Sequence, residues 1–345
     1  MTVREPTEPT GVGSRPRPAT LTDVARVAGV APSTVSRAFT RPGRVNAATR
    51  EHVLRMAAEL GYRPNPVARA LESGRTSTLG LVVSDITNPH FFALVRGAER
   101  QASTAGFTLL LGDTQQSPQT ERTVVDRIHA SVDGLILAAS RLPPAELRAY
   151  AATKPLVLIN RQAQDVTSVV TDHVDGPRQI VEHLHSLGHR ALVFLSGPRE
   201  SWSGAQRWAV IRDTAKSLGI AATRLGPFPP SMAGGPAAAD AAIGTPATAV
   251  IAHNDLLAIG ALRRFSDRGF TVPGDISVVG FDDIFGADFC APPLTTLTGP
   301  LDEAGRKAVE ILVTQPEVTV RAPRFSLPSH LKIRESTGPA RPRRS

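Results

Sequence analysis

From residue 79 onward one texture repeats: a short, almost wholly apolar run, then a longer stretch whose apolar residues fall at helical spacing. The runs are "TLGLVVSD", "GFTLLLGD", "VDGLILAAS", "PLVLIN", "TSVVTD", "RALVFLSG", "TAVIAHND" and "ISVVGFDD". Between them lie helical segments such as "FFALVRGAERQASTAG", "GPRQIVEHLHSLG" and "LLAIGALRRFSDRG". A strand that is apolar on both faces must be covered on both faces, which helices crossing between parallel strands accomplish. The pattern therefore predicts parallel α/β sheets. Several runs close on a polar residue, namely Asp85, Asp113, Asn160, Asp172, Asn254 and Asp282. Open α/β sheets bind ligands beyond the carboxyl ends of their strands, so these positions are expected to converge on a cleft. Strand-end Asp and Asn also serve as ordinary turn and cap residues, and about half of the six are expected to do only that.

Residues 20–78 differ in both pattern and charge. Apolar residues come in three short bursts at helical spacing: Val24, Ala25, Val27 and Ala28; Val35, Ala38 and Phe39; Val53, Met56, Ala57 and Leu60. Three small helices are implied, with Asn46 as N-cap of the third and Gly61 as its stop. In "GVAPSTVSRAFT", proline at the first helical position opens the second helix, and Gly29 makes the turn before it. This is helix-turn-helix geometry, in which the front of the second helix faces base edges in the major groove. Pro32 and Ser33 stand at that front and Arg37 one turn deeper on the same side. Arginine can donate two hydrogen bonds to guanine, which makes Arg37 the residue best able to specify a base. Thr22, Thr34, Ser36, Asn46 and Thr49 are short polar groups suited to phosphate, or to satisfying local backbone. Residues 20–78 carry nine arginines against four acids, +5 of the formal +8, while residues 79–334 are neutral. Such a patch fits a phosphate backbone.

Other chemistries find little footing. There is no phosphate-binding "GxxxxGK[ST]", no "GxGxxG" at a strand-helix turn, no "HExxH" and no "GxSxG", so neither an enzyme nor a cofactor is expected. The single cysteine, Cys290, excludes an internal disulfide and is expected to be packed. His183, His185 and His189 are read as surface histidines rather than metal ligands, because the first two face different directions on a helix. Without an apolar span or leader, a cytoplasmic location and no membrane contact are expected.

The segment from "TLTDVARVAGVAPSTVSRAF" through "VNAATREHVLRMAAELGYRPNPVARALESGRTSTLGLVVSDITNPHFF" resembles the lactose/galactose-repressor (LacI) family of bacterial transcription regulators. The likeness continues through "EHLHSLGHR", "SGPRESWS", "AHNDLLAIGAL", "PGDISVVGFDD" and "APPLTTL", and covers roughly residues 20–338. It implies an all-α helix-turn-helix DNA-binding domain (20–64) and a hinge helix and linker (65–78). A periplasmic-binding-protein-like α/β core comes next (79–334), of two lobes with parallel sheets, crossed near 174 and 298. Tails at 1–19 and 335–345 are expected to be disordered.

The resemblance assigns base or backbone contacts to Leu21, Thr22, Pro32, Ser33, Thr34, Ser36, Arg37, Asn46 and Thr49. Ala31 stands where the family commonly has a capping serine, and Pro32 makes the contact at its own position apolar. "NPVARALESG" matches the hinge helix, where Asn65 and Arg69 reach phosphates, Ala68 permits close helix approach and Leu71 wedges a central base step. Glu72 stands after the wedge, an unfavourable charge beside phosphate. Phe91, Asp172, Trp202, Arg207, Asn254 and Asp282 are assigned to a small-molecule effector in the interlobe cleft. Carboxylates and amides beside an aromatic face suit a sugar. The arginine that many relatives carry near Ala205 is missing, which weighs against an anionic sugar. The resemblance implies repression from a near-palindromic operator, relieved by effector, and a homodimer is favoured because the family's tetramer-forming leucine heptads are absent after residue 338. Two alternatives remain: a ligand that acts as corepressor, and a freestanding sugar-binding protein, which leaves the basic helices unexplained.

Overall fold

The computed structural model describes residues 17, 19–40, 42–63, 74–314 and 322–341. The hinge residues Asn65, Ala68, Arg69 and Leu71, and most of the N-terminal tail, lie outside them. The chain divides into two compact units, Met1–Thr76 and Ser77–Ser345.

In the first unit, helices α1 (Leu21–Ala28), α2 (Pro32–Thr40) and α3 (Ala47–Glu59) surround a core of Val24, Ala25, Ala28, Val35, Ala38, Val53 and Ala57. A capping box starts α1: the Asp23 N–H donates to Thr20 Oγ1 at 3.3 Å, and the Thr20 N–H donates to Asp23 Oδ2 at 3.0 Å. Gly29 stops it at φ 66°, a left-handed conformation that glycine adopts without penalty. Asn46 Oδ1 caps α3 by accepting from the Ala48 N–H at 2.9 Å. Two expected core residues turn outward instead: Val27 is 46% and Leu60 36% exposed, because the helices are too short for a third apolar stripe to reach the shared core.

The second unit holds two sheets of six strands. The first runs in the order β11-β5-β4-β3-β1-β2, all parallel, with β1 at Thr78–Val83, β2 at Thr108–Asp113, β3 at Gly134–Ala138, β4 at Leu156–Ile159, β5 at Thr167–Thr171 and β11 at Arg324–Leu327. The second runs β12-β10-β9-β8-β6-β7, with β6 at Ala191–Leu195, β7 at Ala221–Leu225, β8 at Ala249–Ala252, β9 at Ser277–Phe281, β10 at Thr295–Thr298 and β12 at His330–Lys332. Among the described strands only β12 is antiparallel. Strand order reverses at β1 in one sheet and β6 in the other, the switch points where such sheets open a crevice. The chain crosses between lobes three times: after β5, after β10, where helix Leu301–Thr314 returns to the first sheet, and between β11 and β12. That returning helix packs tightly on helix His90–Thr104. A Cβ on Gly97 would lie 2.1 Å from the Asp302 carbonyl oxygen, and one on Gly305 would lie 2.3 Å from that of Leu94.

Two sequence expectations are corrected. Residues 335–340 are not a disordered tail, since Ser336 is fully buried, donates to the Val278 carbonyl at 2.6 Å and accepts from the Thr295 N–H at 2.8 Å. Farther along, the Ala340 N–H donates to the Leu187 carbonyl. Nor is His189 a surface residue: it is 1% exposed and bonded to Thr248, Ser277 and the Gly338 carbonyl, tying that C-terminal segment to the second sheet. His183 is half-buried against Thr337. Cys290 is half-buried, and burial pushes its thiol pKa up. Among the described residues no helix is long and apolar enough to cross a membrane, and no cluster of His, Cys, Asp and Glu could hold a metal ion.

Candidate DNA-reading surface and ligand cleft

On α2, Val35 and Ala38 point into the core, which leaves Pro32, Ser33 and Arg37 exposed on the opposite side. Arg37 makes no ion pair or side-chain hydrogen bond with any described residue. Thr34 and Ser36 are half-buried, and neither hydroxyl is engaged among the described residues. The uncapped start costs α2 little, because the Ala31 carbonyl still accepts from the Thr34 and Val35 N–H groups. Thr22 and Asn46 are exposed and Thr49 half-buried, but the Asn46 side-chain oxygen is committed to its cap. Leu21 packs on the helical core.

In the second unit a cleft of about 540 Å³, its open mouth included, lies at the carboxyl ends of the strands beside both switch points. The first lobe contributes Ser84 after β1, Asn88, His90 and Phe91 at the front of helix His90–Thr104, Gln116, Ser140 and Arg141 after β3, and Asn160 after β4. Ser201, Trp202, Ser203, Arg207, His253, Asn254 and Asp282 come from the second lobe. Phe91 is 5% exposed and forms an apolar wall. Trp202 and His173 meet in a T-shaped contact, with ring centroids 4.7 Å apart.

The electrostatic centre is Arg207. Its Nη1 donates to the His253 carbonyl at 2.7 Å, its Nη2 lies 3.6 Å from Asp282 Oδ1, and its guanidinium sits 4.1 Å over the Phe281 ring. Across the cleft, His90 Nδ1 comes within 3.3 Å of the same carboxylate oxygen without making a hydrogen bond. Burial lowers the pKa of His90, that of His173 to about 3 and that of His253 well below its ordinary value, so all three rings are neutral at pH 7. His253 is packed so closely that a Cβ on Gly197 would lie 2.5 Å from its ring and one on Gly204 3.0 Å. Such a site offers two aromatic faces, neutral imidazoles, an ion pair and several hydroxyls and amides, suited to holding one small polar molecule.

Phe91, Trp202, Arg207, Asn254 and Asp282 are thus gathered in one cleft, but Asp172 is not among its lining residues. Asp172 Oδ1 accepts from the Val174 and Asp175 N–H groups at 2.7 and 3.0 Å, so its charge is spent on the start of helix Asp175–Ser186. Asp85 and Asp113 likewise serve turns, through Thr87 and through Ile86 and Gln115. Asn254 lines the cleft with both ends of its amide occupied, accepting from Leu257 and donating to Pro230. The sequence reading missed His90, Gln116, Arg141 and His253, although Arg141 directly follows the "LILAAS" run and His253 directly precedes Asn254.

Comparison with known proteins agrees with both units. Residues 20–65 match the model of bacterial regulatory proteins of the lacI family, and residues 181–337 that of a periplasmic binding protein-like domain. The transcriptional repressor CytR of Escherichia coli is 34% identical over 310 residues, covering 86% of this chain and 89% of the relative. The regulator DegA of Bacillus subtilis is 32% identical, covering 88% and 97%. Among solved structures, the Lac repressor dimer bound to operator and the anti-inducer ONPF has a TM-score of 0.83 at 31% identity, covering 93% of this chain and 100% of that one. The complex of the regulator CelR with cellobiose has a TM-score of 0.66 at 31% identity, covering 92% and 99%. Two family models in the order of the two units, with relatives above 30% identity along most of both chains, show that the chain belongs to the lacI family of DNA-binding bacterial transcriptional regulators.

Proposed function

We propose that this protein represses transcription as a homodimer on a near-palindromic operator, and that a small molecule in the interlobe cleft lowers its affinity for that operator. The observation that carries the reading is Arg37: exposed, unpaired among the described residues, and one turn behind Ser33 on the second helix of a helix-turn-helix. A long donor-rich side chain left without a partner on that face is placed to read guanine, with Pro32 making apolar contact and Ser33 hydrogen bonding. Thr22, Thr34, Ser36 and Thr49 are assigned to phosphates, and Leu21 to positioning α1 against the backbone. Asn65, Ala68, Arg69 and Leu71 are assigned to the minor groove. Two-fold symmetry of the dimer dictates the operator's symmetry.

For the effector, Phe91, Trp202, Arg207 and Asp282 are assigned direct contact, and Asn254 the framing of the wall. Support for a sugar-like ligand comes from the aromatic and polar lining, and from regulators of similar structure solved with cellobiose and with ribose. Because effector and DNA each bias the same lobe arrangement, their couplings are reciprocal. Selection of duplexes from a randomised pool, run with wild type and Arg37→Ala together, tests the reading. A palindrome lost or relaxed in the variant supports it, and no enrichment at moderate salt overturns it.

A further inference from the structure

Arg141 closes the first-lobe side of the cleft from the loop after β3, and it is buried, with 7% relative exposure. Its Nη2 donates to Gln116 Oε1, but Nε and Nη1 are buried with no partner among the described residues. Buried guanidinium nitrogens left unbonded are costly, and native proteins rarely keep them without a reason.

The charges around Arg141 do not cancel. Glu121, 2% exposed, lies behind it and accepts from the Arg141 backbone N–H at 2.9 Å, but Arg161 stands on the same acid, its Nη2 bonded to the Leu142 carbonyl. One buried carboxylate between two buried guanidiniums leaves one positive charge over. Asp85 and Glu200 act on Arg141 from half-exposed and exposed positions, where solvent screens them. On the opposite wall Arg207 already faces Asp282 and His253 is neutral, and on the first-lobe side His90 is neutral too.

We infer that the effector carries an anionic group, a carboxylate or a phosphate, which pairs with Arg141. The inference rests on the cleft being the effector site, and it moves the expected ligand from a neutral sugar to an acidic one. The arginine missing at Ala205 belongs to the second lobe, whereas Arg141 supplies a cation from the first. A ligand with an anionic end against Arg141 and its ring between Phe91 and Trp202 would bind both lobes at once, and closing them is what couples the cleft to DNA. Charge-assisted bonds in a site shielded from water are the strong kind, and arginine is the side chain whose geometry matches such oxygens.

Thermal shift and calorimetry on the full chain test this at constant ionic strength, with acetate, inorganic phosphate, D-glucuronate, glucose 6-phosphate, D-glucose and D-ribose as probes. At least one anion is expected to bind the wild type tenfold or more tighter than the Arg141→Gln variant, with intermediate affinity in Arg141→Lys. Preference for acetate and glucuronate identifies a carboxylate; preference for phosphate and glucose 6-phosphate identifies a phosphate. If no anion distinguishes wild type from Arg141→Gln, or if D-glucose or D-ribose binds as tightly as the acids, the inference fails. Should Arg141→Gln not fold, Arg141→Lys decides by a threefold or larger loss. The operator complex separates the two readings. Anion binding that needs Arg141 but leaves operator affinity unchanged shows an anion site there yet sinks the effector reading and this inference with it, whereas operator release by a neutral sugar keeps the effector reading and sinks this inference alone.

Discussion

Arg37 in the helical unit and Arg207 in the core are the same side chain in opposite settings. Arg37 is exposed and bonds to no described residue, so its hydrogen-bonding capacity is held in reserve for a partner. Arg207 is 9% exposed, bonded to the His253 carbonyl, stacked on Phe281 and faced by Asp282. A surface that must meet a large polyanion needs donors that are free beforehand, because the DNA supplies the counter-charge and the burial. A cleft that must hold a small molecule needs its donors positioned beforehand, so the protein itself supplies counter-charge and rigidity. Function and stability are consequently separable in the helical unit and entangled in the core.

The sharpest way to break that contrast is to remove the charges one at a time. Asp282→Ala leaves Arg207 buried and unpaired, and removing one partner of a buried pair costs about 3–5 kcal/mol. The core's denaturant midpoint should fall well below the wild type's, and Asp282→Asn, which keeps a hydrogen-bond acceptor, should fall less. Asp282 also adopts φ 113°, which asparagine tolerates better than most residues. An unchanged midpoint in Asp282→Ala would show that the pair contributes nothing to the fold. Arg37→Ala should leave both melting transitions where they are and weaken operator binding by about 1–3 kcal/mol, roughly five- to 150-fold, relaxing specificity at one base position. A drop of the same size for every sequence, with a shallower salt dependence, would reassign Arg37 to phosphate.

Acid separates the two regions next. His90, His173 and His253 are held neutral by burial, with His173 lowered to about 3, so each binds a proton on unfolding at any pH between its folded value and its unfolded value near 6.5. The unfolded state therefore binds more protons there, and core stability is complete above about pH 6.5 and falls as pH drops below it, by up to about 1.4 kcal/mol per pH unit for each histidine. Replacing His173 with glutamine should flatten that slope. A core whose stability is level between pH 7 and 5 would contradict it.

How much of this was legible in the sequence obeys the same divide. The helical unit is local: the spacing of Val24, Val35 and Val53, with Gly29 as the turn and Asn46 as a cap, suffices to expose Ser33 and Arg37, because every determinant lies within one or two turns. Eight strands were visible as apolar runs, whereas β7 "AATRL", β10 "TTLT", β11 "RFSL" and β12 "HLK" were not. Three of these are exposed edge strands with little apolar signal, and β10 buries threonines, whose hydroxyls interrupt the apolar pattern. In the sequence, Asp172 and Asp282 look alike as strand-end acids. The next residues in the chain decide their fates: a helix start takes the carboxylate of Asp172, while Asp282 turns toward residues distant in sequence. Arg141 escaped notice because its importance lies in what fails to bond to it, and missing partners have no sequence pattern.

The smallest effect tests whether the helical unit has its own acid threshold. Asp23 is exposed enough to be solvated, but the Thr20 hydroxyl and N–H, and then Arg26, lower its pKa to about 2 from an ordinary value of 3.8. A carboxylate depressed in the folded state stabilises above its unfolded pKa and loses that contribution as pH falls through the folded one. The helical unit should therefore resist acid until below about pH 4, two units or more beyond the point where the core begins to weaken. Thr20→Ala removes the hydroxyl, the largest cause of the shift, and leaves the backbone N–H and Arg26 in place. It should cost the helical unit about 1 kcal/mol, the usual worth of such a cap, and return the Asp23 titration toward 3.8 while the core's transition stays in place. A core transition that moved with Thr20→Ala would mean the two units unfold together, and the separation of function from stability argued from Arg37 would then hold only for the folded surface.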